Sequence, residues 1–292
     1  MNDYVLITPA KNEEKNIWRT IESVISQNVL PSEWVIVSDG STDSTDELVK
    51  RYCKKHAFIK FLRNESPADK DFSSKVNAFN KGLAALKTRN YSFIGNLDAD
   101  VSFEPEYFEK ILEKMEKQPK LGIAGGLIYE VYDGKTKPMR TSLNSVAGAV
   151  QLFKKECFEQ IGGYLPIRIG GIDSAAEICA RAKGWYVHTF AEYKVLHHGR
   201  VLTGKTNLNQ AMFQMGMSHY ILGYHPLFHL VSCMSRLANK PFFLGALSFL
   251  YGYIMASFQN KEKALPEEVI KFLRNEQLCR LREILSWKKY RI

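Results

Sequence analysis

Twice near its start the chain passes through a short β-rich run, a polar turn and then a helix, and this alternation restricts the fold more than any other feature. Residues 4–8 (YVLIT) read as a strand stopped by Pro9. Asn12 is placed to cap a helix carrying Glu13 and Glu14 in its first turn and running to about Gln27. Residues 34–37 read as a second strand, SDGSTDSTDE as its polar turn, and Ser44 with Glu47 has capping-box spacing before a helix that ends near His56. Strand, helix, strand, helix predicts an α/β fold with a mostly parallel sheet and right-handed crossovers.

Residues 58–62 fit a third strand, and the polar stretch RNESPADKDFSSK fits a loop leading into a helix over 74–87. The next segment, 91–100 (YSFIGNLDAD), is an apolar run ending in two carboxylates one residue apart. A buried parallel strand is continuously hydrophobic, and open α/β sheets hold ligands at the C-terminal ends of their strands. Asp98 and Asp100, with side chains on the same side of an extended segment, are therefore candidates to share one hard divalent cation. An isolated Asp-x-Asp is more often a solvated loop, so its weight depends on its neighbours. Residues 104–117 are amphipathic and helical, and 127–132 before Asp133-Gly134 read as one arm of a hairpin. A short helix near 154–160, the turn IGGY at 161–164, a helix over 174–183 and a strand over 185–189 follow.

The remainder is mostly helical and differently charged. The whole chain carries a net charge of +9, and positions 201–292 hold twelve Lys or Arg against five Glu and no Asp, which leaves little net charge for the first two hundred residues. This asymmetry fits an anionic surface partner, such as a membrane, or simply the solvated faces of ordinary helices. Positions 241–258 (PFFLGALSFLYGYIMASF) contain no charged residue. That length is the lower limit for a membrane span, which leaves three readings: a buried helix, an interfacial element flanked by Lys240, Lys261 and Lys263, or a span. Five cysteines without CxxC spacing argue against a disulfide framework and a zinc site, and the N-terminal residues lack a secretory pattern. A cytoplasmic protein, peripheral at the membrane, is the expectation.

Polar residues thus collect after successive strands: Pro9 and Glu13, then Asp39 in SDGSTD, then Asp98 and Asp100. Neither a GxGxxG nor a GxxxxGKS loop is present, which disfavours a dinucleotide site and a P-loop. In order, TPAKNEE, VSDGSTDST, KVNAFNKGL leading into NLDAD, IGGY and GIDSAAEICARAKG resemble the motifs of family 2 glycosyltransferases with the GT-A fold, over residues 4–199.

The resemblance implies a catalytic domain over 1–200, with a Rossmann-like sheet flanked by helices, and a helical extension over 201–292. It implies an inverting, Mn²⁺- or Mg²⁺-dependent transfer from a UDP-, GDP- or dTDP-linked sugar to a glycan or a polyprenyl-phosphate-linked acceptor, with no nucleic-acid partner. Pro9 and Glu13 resemble positions lining base and ribose, Asp39 the acid that reads the nucleobase, Asp98 the acid near the ribose or a metal-bound water, and Asp100 the direct metal ligand. Lys75 and Asn80 match the basic and Asn positions of the preceding helix, although Phe79 stands where the family commonly has Arg. Asp173 matches the acid that serves as catalytic base, preceded here by Ile172 in place of Glu. Of the neighbours His197 and His198, which alternate in direction along an extended chain, His198 is the expected ligand to metal or diphosphate. Two other readings stay open: sugar-phosphate nucleotidyltransfer, which would need a basic glycine-rich loop where TPAKNEE stands, and a binding protein without turnover.

Overall fold

The computed structural model describes residues 3–65, 73–132, 134–199, 208–237 and 242–289. They fall into two compact units, Met1–Pro166 with Ile172–Val201, and Ile167–Gly171 with Leu202–Ile292.

In the first unit one sheet collects β1 (Tyr4–Ala10), β2 (Glu33–Asp39), β3 (Ile59–Asn64), β4 (Phe93–Asn96), β5 (Val101–Phe103), β6 (Leu121–Tyr132), β7 (Lys135–Pro138), β8 (Leu152–Lys154) and β9 (Tyr186–His197). Their spatial order is β3-β2-β1-β4-β8-β6-β9-β5, with β7 hairpinned onto β6. The first four strands pair in parallel, as the strand–helix alternation predicts. Beyond them β8 runs antiparallel to both β4 and β6, and β6 and β9 are again parallel.

The helices of this unit are α1 (Ile17–Ile25), α2 (Thr45–Cys53), α3 (Ser73–Ala85), α4 (Tyr107–Lys117), α5 (Lys155–Gln160) and α6 (Ile172–Ala182). Strand alternation sends Tyr4, Leu6, Trp34 and Ile36 into one core with Ile17, Ile21 and Val24 of α1 and Ile111 and Met115 of α4. Val5, Ile7, Val35 and Val37 enter the other core, where Val76 and Phe79 of α3 meet Phe153 and Phe158. Burial on both faces explains the uninterrupted apolar runs, each fully buried side chain contributing about 1.5–3 kcal/mol.

Three local expectations, at Pro9, Asn12 and Ser44, are not met. β1 continues through Pro9 to Ala10. The Ile7 carbonyl points toward β4, accepting from the Leu97 amide, so alternation aims the Pro9 nitrogen the same way, where pairing with β4 has already ended; the missing N–H breaks no ladder bond. Asn12 does not cap α1, which starts at Ile17. Its φ is +56°, and its Oδ1 instead accepts the Thr42 amide at 2.8 Å. Ser44 makes no capping hydrogen bond; Asp43 Oδ1 accepts the Thr45 amide at 3.0 Å in its place.

The second unit contains α7 (Leu208–Ile221), α8 (Pro226–Arg236), α9 (Phe242–Phe258) and α10 (Glu267–Lys289). No helix among the described residues is long and apolar enough to cross a membrane; Lys240 lies outside those residues. Helices α7 and α9 approach through reciprocal glycines. A Cβ at Gly216 would lie 2.0 Å from the Phe249 carbonyl oxygen, and one at Gly252 would lie 2.0 Å from that of Phe213. Because both obstacles are backbone, the helices themselves would have to separate. Gly216→Ala is expected to cost about 1–3 kcal/mol or more, measured as a lowered denaturation midpoint, whereas Ala at the exposed Met215 costs little.

Candidate active site

Glu13, Asp39, Asp98 and Asp100 line one cleft of about 220 Å³ together with Pro9, Lys11 and Lys75. The sheet explains the convergence. Glu13 follows β1, Asp39 ends β2, and Asp98 and Asp100 occupy the turn between β4 and β5, so all four lie at the C-terminal edge of adjacent parallel strands.

Asp39 is buried and held from two sides. Asn64, its register partner on β3, donates Nδ2 to Asp39 Oδ1 at 2.7 Å, and Lys11 Nζ lies 3.6 Å from Oδ2. Lys81 donates in turn to Asn64 Oδ1. The loop that presents Glu13 is fastened to the loop after β2: the Glu13 amide donates to Thr45 Oγ1 at 2.8 Å and the Glu14 amide to Asp43 Oδ2 at 3.1 Å.

Four carboxylates share this cleft with two lysines, and the crowding raises the pKa of Glu13 and of Asp100. Burial, then the charge of Asp100, with Asp98 and Asp43 behind it, pushes the Glu13 carboxyl up to about 7, against a hydrogen bond from Asn16. Burial and Asp98 also raise Asp100, opposed by His197 and Lys75. Lys75 donates to Asp98 Oδ1 at 2.6 Å. Burial works against its ammonium, but Asp98, Asp173 and Asp100 outweigh that and raise its pKa.

Glu13 gives a pH test. Its folded-state pKa lies above the ordinary carboxylate value, so the native state binds the extra proton; stability is lost as pH rises from about 4.5 and the cost is complete above about 7. Glu13→Gln in metal-free buffer should therefore stabilise the fold by about 1–2 kcal/mol at mildly alkaline pH and leave it unchanged in acid, as read from paired thermal melts.

The two histidines are placed opposite to expectation. His197 Nε2 lies 3.4 Å from Asp100 Oδ1, whereas His198 Nε2 meets Ser102 Oγ at 2.7 Å. Burial, with Arg19 and His197, lowers the His198 pKa. Gly199 passes so close to Asp100 that a Cβ there would collide with the carboxylate. Asn80 is exposed and does not line the cleft. On α3 it lies five residues, about 140° of helix, past Lys75. Phe79 enters the core, edge-on to Tyr164 with ring centroids 5.0 Å apart.

Asp173 sits in the first turn of α6, its Oδ1 accepting the Ser174 amide at 2.8 Å. It does not line the cleft, but its charge is felt at Lys75 and its side chain stands over Gly148, where a Cβ would lie 3.1 Å from that of Asp173. The Gly148 carbonyl accepts from Asn96 Nδ2, which also reaches Asp98 Oδ1 at 3.4 Å. Glu177, one turn further along α6, is buried and accepts from the Val146 amide at 2.6 Å, Ser145 Oγ at 3.2 Å and Gln151 Nε2 at 3.3 Å; burial pushes it up to about 7. Asn96 and Glu177 thus brace the segment between the two acidic centres. Neither was singled out by the sequence, although Asn96 stands in NLDAD and Glu177 in GIDSAAE.

Among the described residues no three acidic, His or Cys side chains form a metal-holding group. Asp98 and Asp100 nevertheless supply hard oxygen donors in an acid-crowded cleft, and the His197 imidazole stands 3.4 Å from Asp100, donor chemistry that would suit Mn²⁺ or Mg²⁺ when a ligand completes the shell.

The chain is similar to known proteins in sequence and in fold. The model of glycosyl transferase family 2 matches residues 5–172. A poly-β-1,6-N-acetyl-D-glucosamine synthase of Staphylococcus epidermidis is 27% identical over 210 residues, 65% of this chain and 47% of the relative. The chain thus spans about half the length of the curated relatives it matches. A mannosyltransferase of Pyrobaculum calidifontis, solved with GDP-Man and Mn²⁺, superposes with a TM-score of 0.57 at 15% identity, covering 100% of this chain and 83% of that one. S. aureus TarS with UDP-GlcNAc gives 0.55 at 16% identity, covering 93% and 84%. These two likenesses establish the shared fold, and the family match covers more than half of the sequence. The chain belongs to glycosyltransferase family 2.

Proposed function

We propose that the chain transfers a sugar, with inversion, from a nucleotide-sugar donor to a hydroxyl of a glycan or lipid-linked acceptor, assisted by Mn²⁺ or Mg²⁺. The observation that carries this reading is the convergence of Glu13, Asp39, Asp98 and Asp100 in one cleft, with Asp173 close enough for its charge to act on Lys75.

Asp39, fixed by Asn64 and Lys11, accepts from a nucleobase N–H, and Pro9 and Glu13 line the base and ribose. Lys75 bridges toward the diphosphate: in the free protein its ammonium lies on Asp98 and offsets part of the acid excess. Asp98, Asp100 and His197 would hold the cation, which when bound supplies positive charge against that developing on the departing diphosphate. Asp173 takes the proton of the acceptor hydroxyl as its oxygen attacks the anomeric carbon from the side opposite the diphosphate. The C–O bond to the nucleotide then breaks with its electron pair on the leaving phosphate oxygen.

UDP-GlcNAc and GDP-mannose are the first donors to try, since relatives of this chain bear those names or ligands. Incubating each donor with Mn²⁺ or with chelator, and measuring nucleoside diphosphate release, should show release from one donor class only and at least a tenfold loss on chelation. Equal release with and without chelator would remove the metal from the reaction, and no release from any donor would favour a binding protein.

A further inference from the structure

Helix α9 is apolar on all sides, but its bulk is distributed the wrong way round for a helix that ends at water. Four of its six buried residues are Gly or Ala (Gly245, Ala246, Gly252, Ala256). The large side chains face outward: Leu244, Leu247, Tyr251, Ile254 and Phe258 recur at steps of three and four residues, which is one helical stripe, and Phe258 is 80% exposed. The neighbouring α8 repeats the pattern with Leu227, Leu230, Met234 and Leu237, Met234 being 63% exposed. Small residues inward and bulky apolar residues outward is how helices pack when their surroundings are hydrocarbon, because close backbone contact then holds the pair together and the exterior meets lipid.

Charge decides what covers the stripes. Positions 208–258 contain no Asp or Glu; Arg236 ends α8, and Lys261, Glu262 and Lys263 follow α9, a border of net positive charge in which the Lys263 ammonium turns in to the Tyr220 carbonyl. A second copy of the chain would bring two net positive borders together, with Glu262 offsetting only part of the charge on each. An anionic bilayer surface offers both the apolar layer and the counter-charge. The 17 residues of α9 do not reach across a bilayer, so the helix lies along its surface.

We infer that the outer faces of α8 and α9 dock in the interfacial layer of an anionic phospholipid membrane. The test uses the full chain and flotation with vesicles of phosphatidylcholine alone or with about one-third phosphatidylglycerol. The wild-type chain should float with the mixed vesicles and be released in part by high salt. The triple variant Leu247→Ser, Tyr251→Ser, Phe258→Ser should bind at least about tenfold less, with an unchanged circular dichroism spectrum because the three side chains face outward. Lys261→Glu should lower the preference for anionic vesicles while leaving any binding to neutral ones as it was.

Should the triple variant misfold, Phe258→Trp provides a second route: its added fluorescence should be quenched by lipids brominated in the acyl chains. Absence of flotation and of quenching overturns the inference. So does a dimer that the triple variant abolishes in a protein that ignores vesicles, which would give the stripes to a second copy. The inference is independent of the transfer chemistry, since a protein without Asp173 should float as well as the wild type.

Discussion

Asp173→Asn should leave donor binding intact and reduce transfer by about 10²–10⁴-fold, the range that a positioned general base contributes. The substitution is nearly isosteric. Asn keeps an oxygen for the Ser174 amide and fits against Gly148, so α6 and the segment 145–151 should hold their places. What disappears is the ability to accept a proton from the acceptor. Calorimetry with the nucleotide should give an unchanged affinity while product formation falls. Slow hydrolysis of the donor by water should fall less than transfer, because that side reaction does not need an acceptor to be aligned. A variant that transfers at near wild-type rate would move the base elsewhere; one that loses nucleotide affinity would place Asp173 in donor binding.

Asp100→Ala should have an effect of similar size through a different parameter. The carboxylate lies beside His197, whose Nδ1 is buried without a hydrogen-bond partner, and Asp100 is the largest charge acting on Glu13. Its removal takes away one side of the candidate cation site, with a loss on the order of 10³-fold in transfer, and donor affinity should cease to respond to Mn²⁺. The same change should lower the Glu13 pKa below about 7, since one of the charges that raises it is gone. Titration of Glu13 by NMR gives a readout independent of turnover. Donor affinity still enhanced by Mn²⁺ in this variant would remove the metal role from Asp100.

The parallel half of the sheet was legible because each of its strands is a local apolar run bounded by turn residues, and the acids after them are set by the same chain order. The two histidines were not. The sequence suggested a strand over 185–189, whereas β9 runs on to His197 and its pairing with β6 jumps from Gly126↔Phe190 to Leu127↔Lys194. Three residues, 191–193, are skipped in that step, which reverses the faces of His197 and His198 relative to the start of the strand, and no local pattern announces the jump. Asn12 departs from its local capping pattern because that pattern competes with a partner thirty residues away, Thr42, that only the tertiary fold supplies. Asn80 was carried by family position alone, and helical geometry turns it to solvent. Asn96 and Glu177 act through the Gly148 carbonyl, the Val146 amide and the side chains of Ser145 and Gln151, and no spacing in the chain announces such contacts.

The bracing by Asn96 has a consequence for how this protein can be altered. One carbonyl, that of Gly148, receives the side chain that also steadies Asp98, and the same glycine is the floor under Asp173. The parts assigned to donor and acceptor are therefore not separable modules. Grafting a foreign 145–151 segment to change the proposed acceptor side would also disturb the seat proposed for the leaving group, so variants with new acceptors are more readily sought in the surfaces around Asp173 than in the segment beneath it.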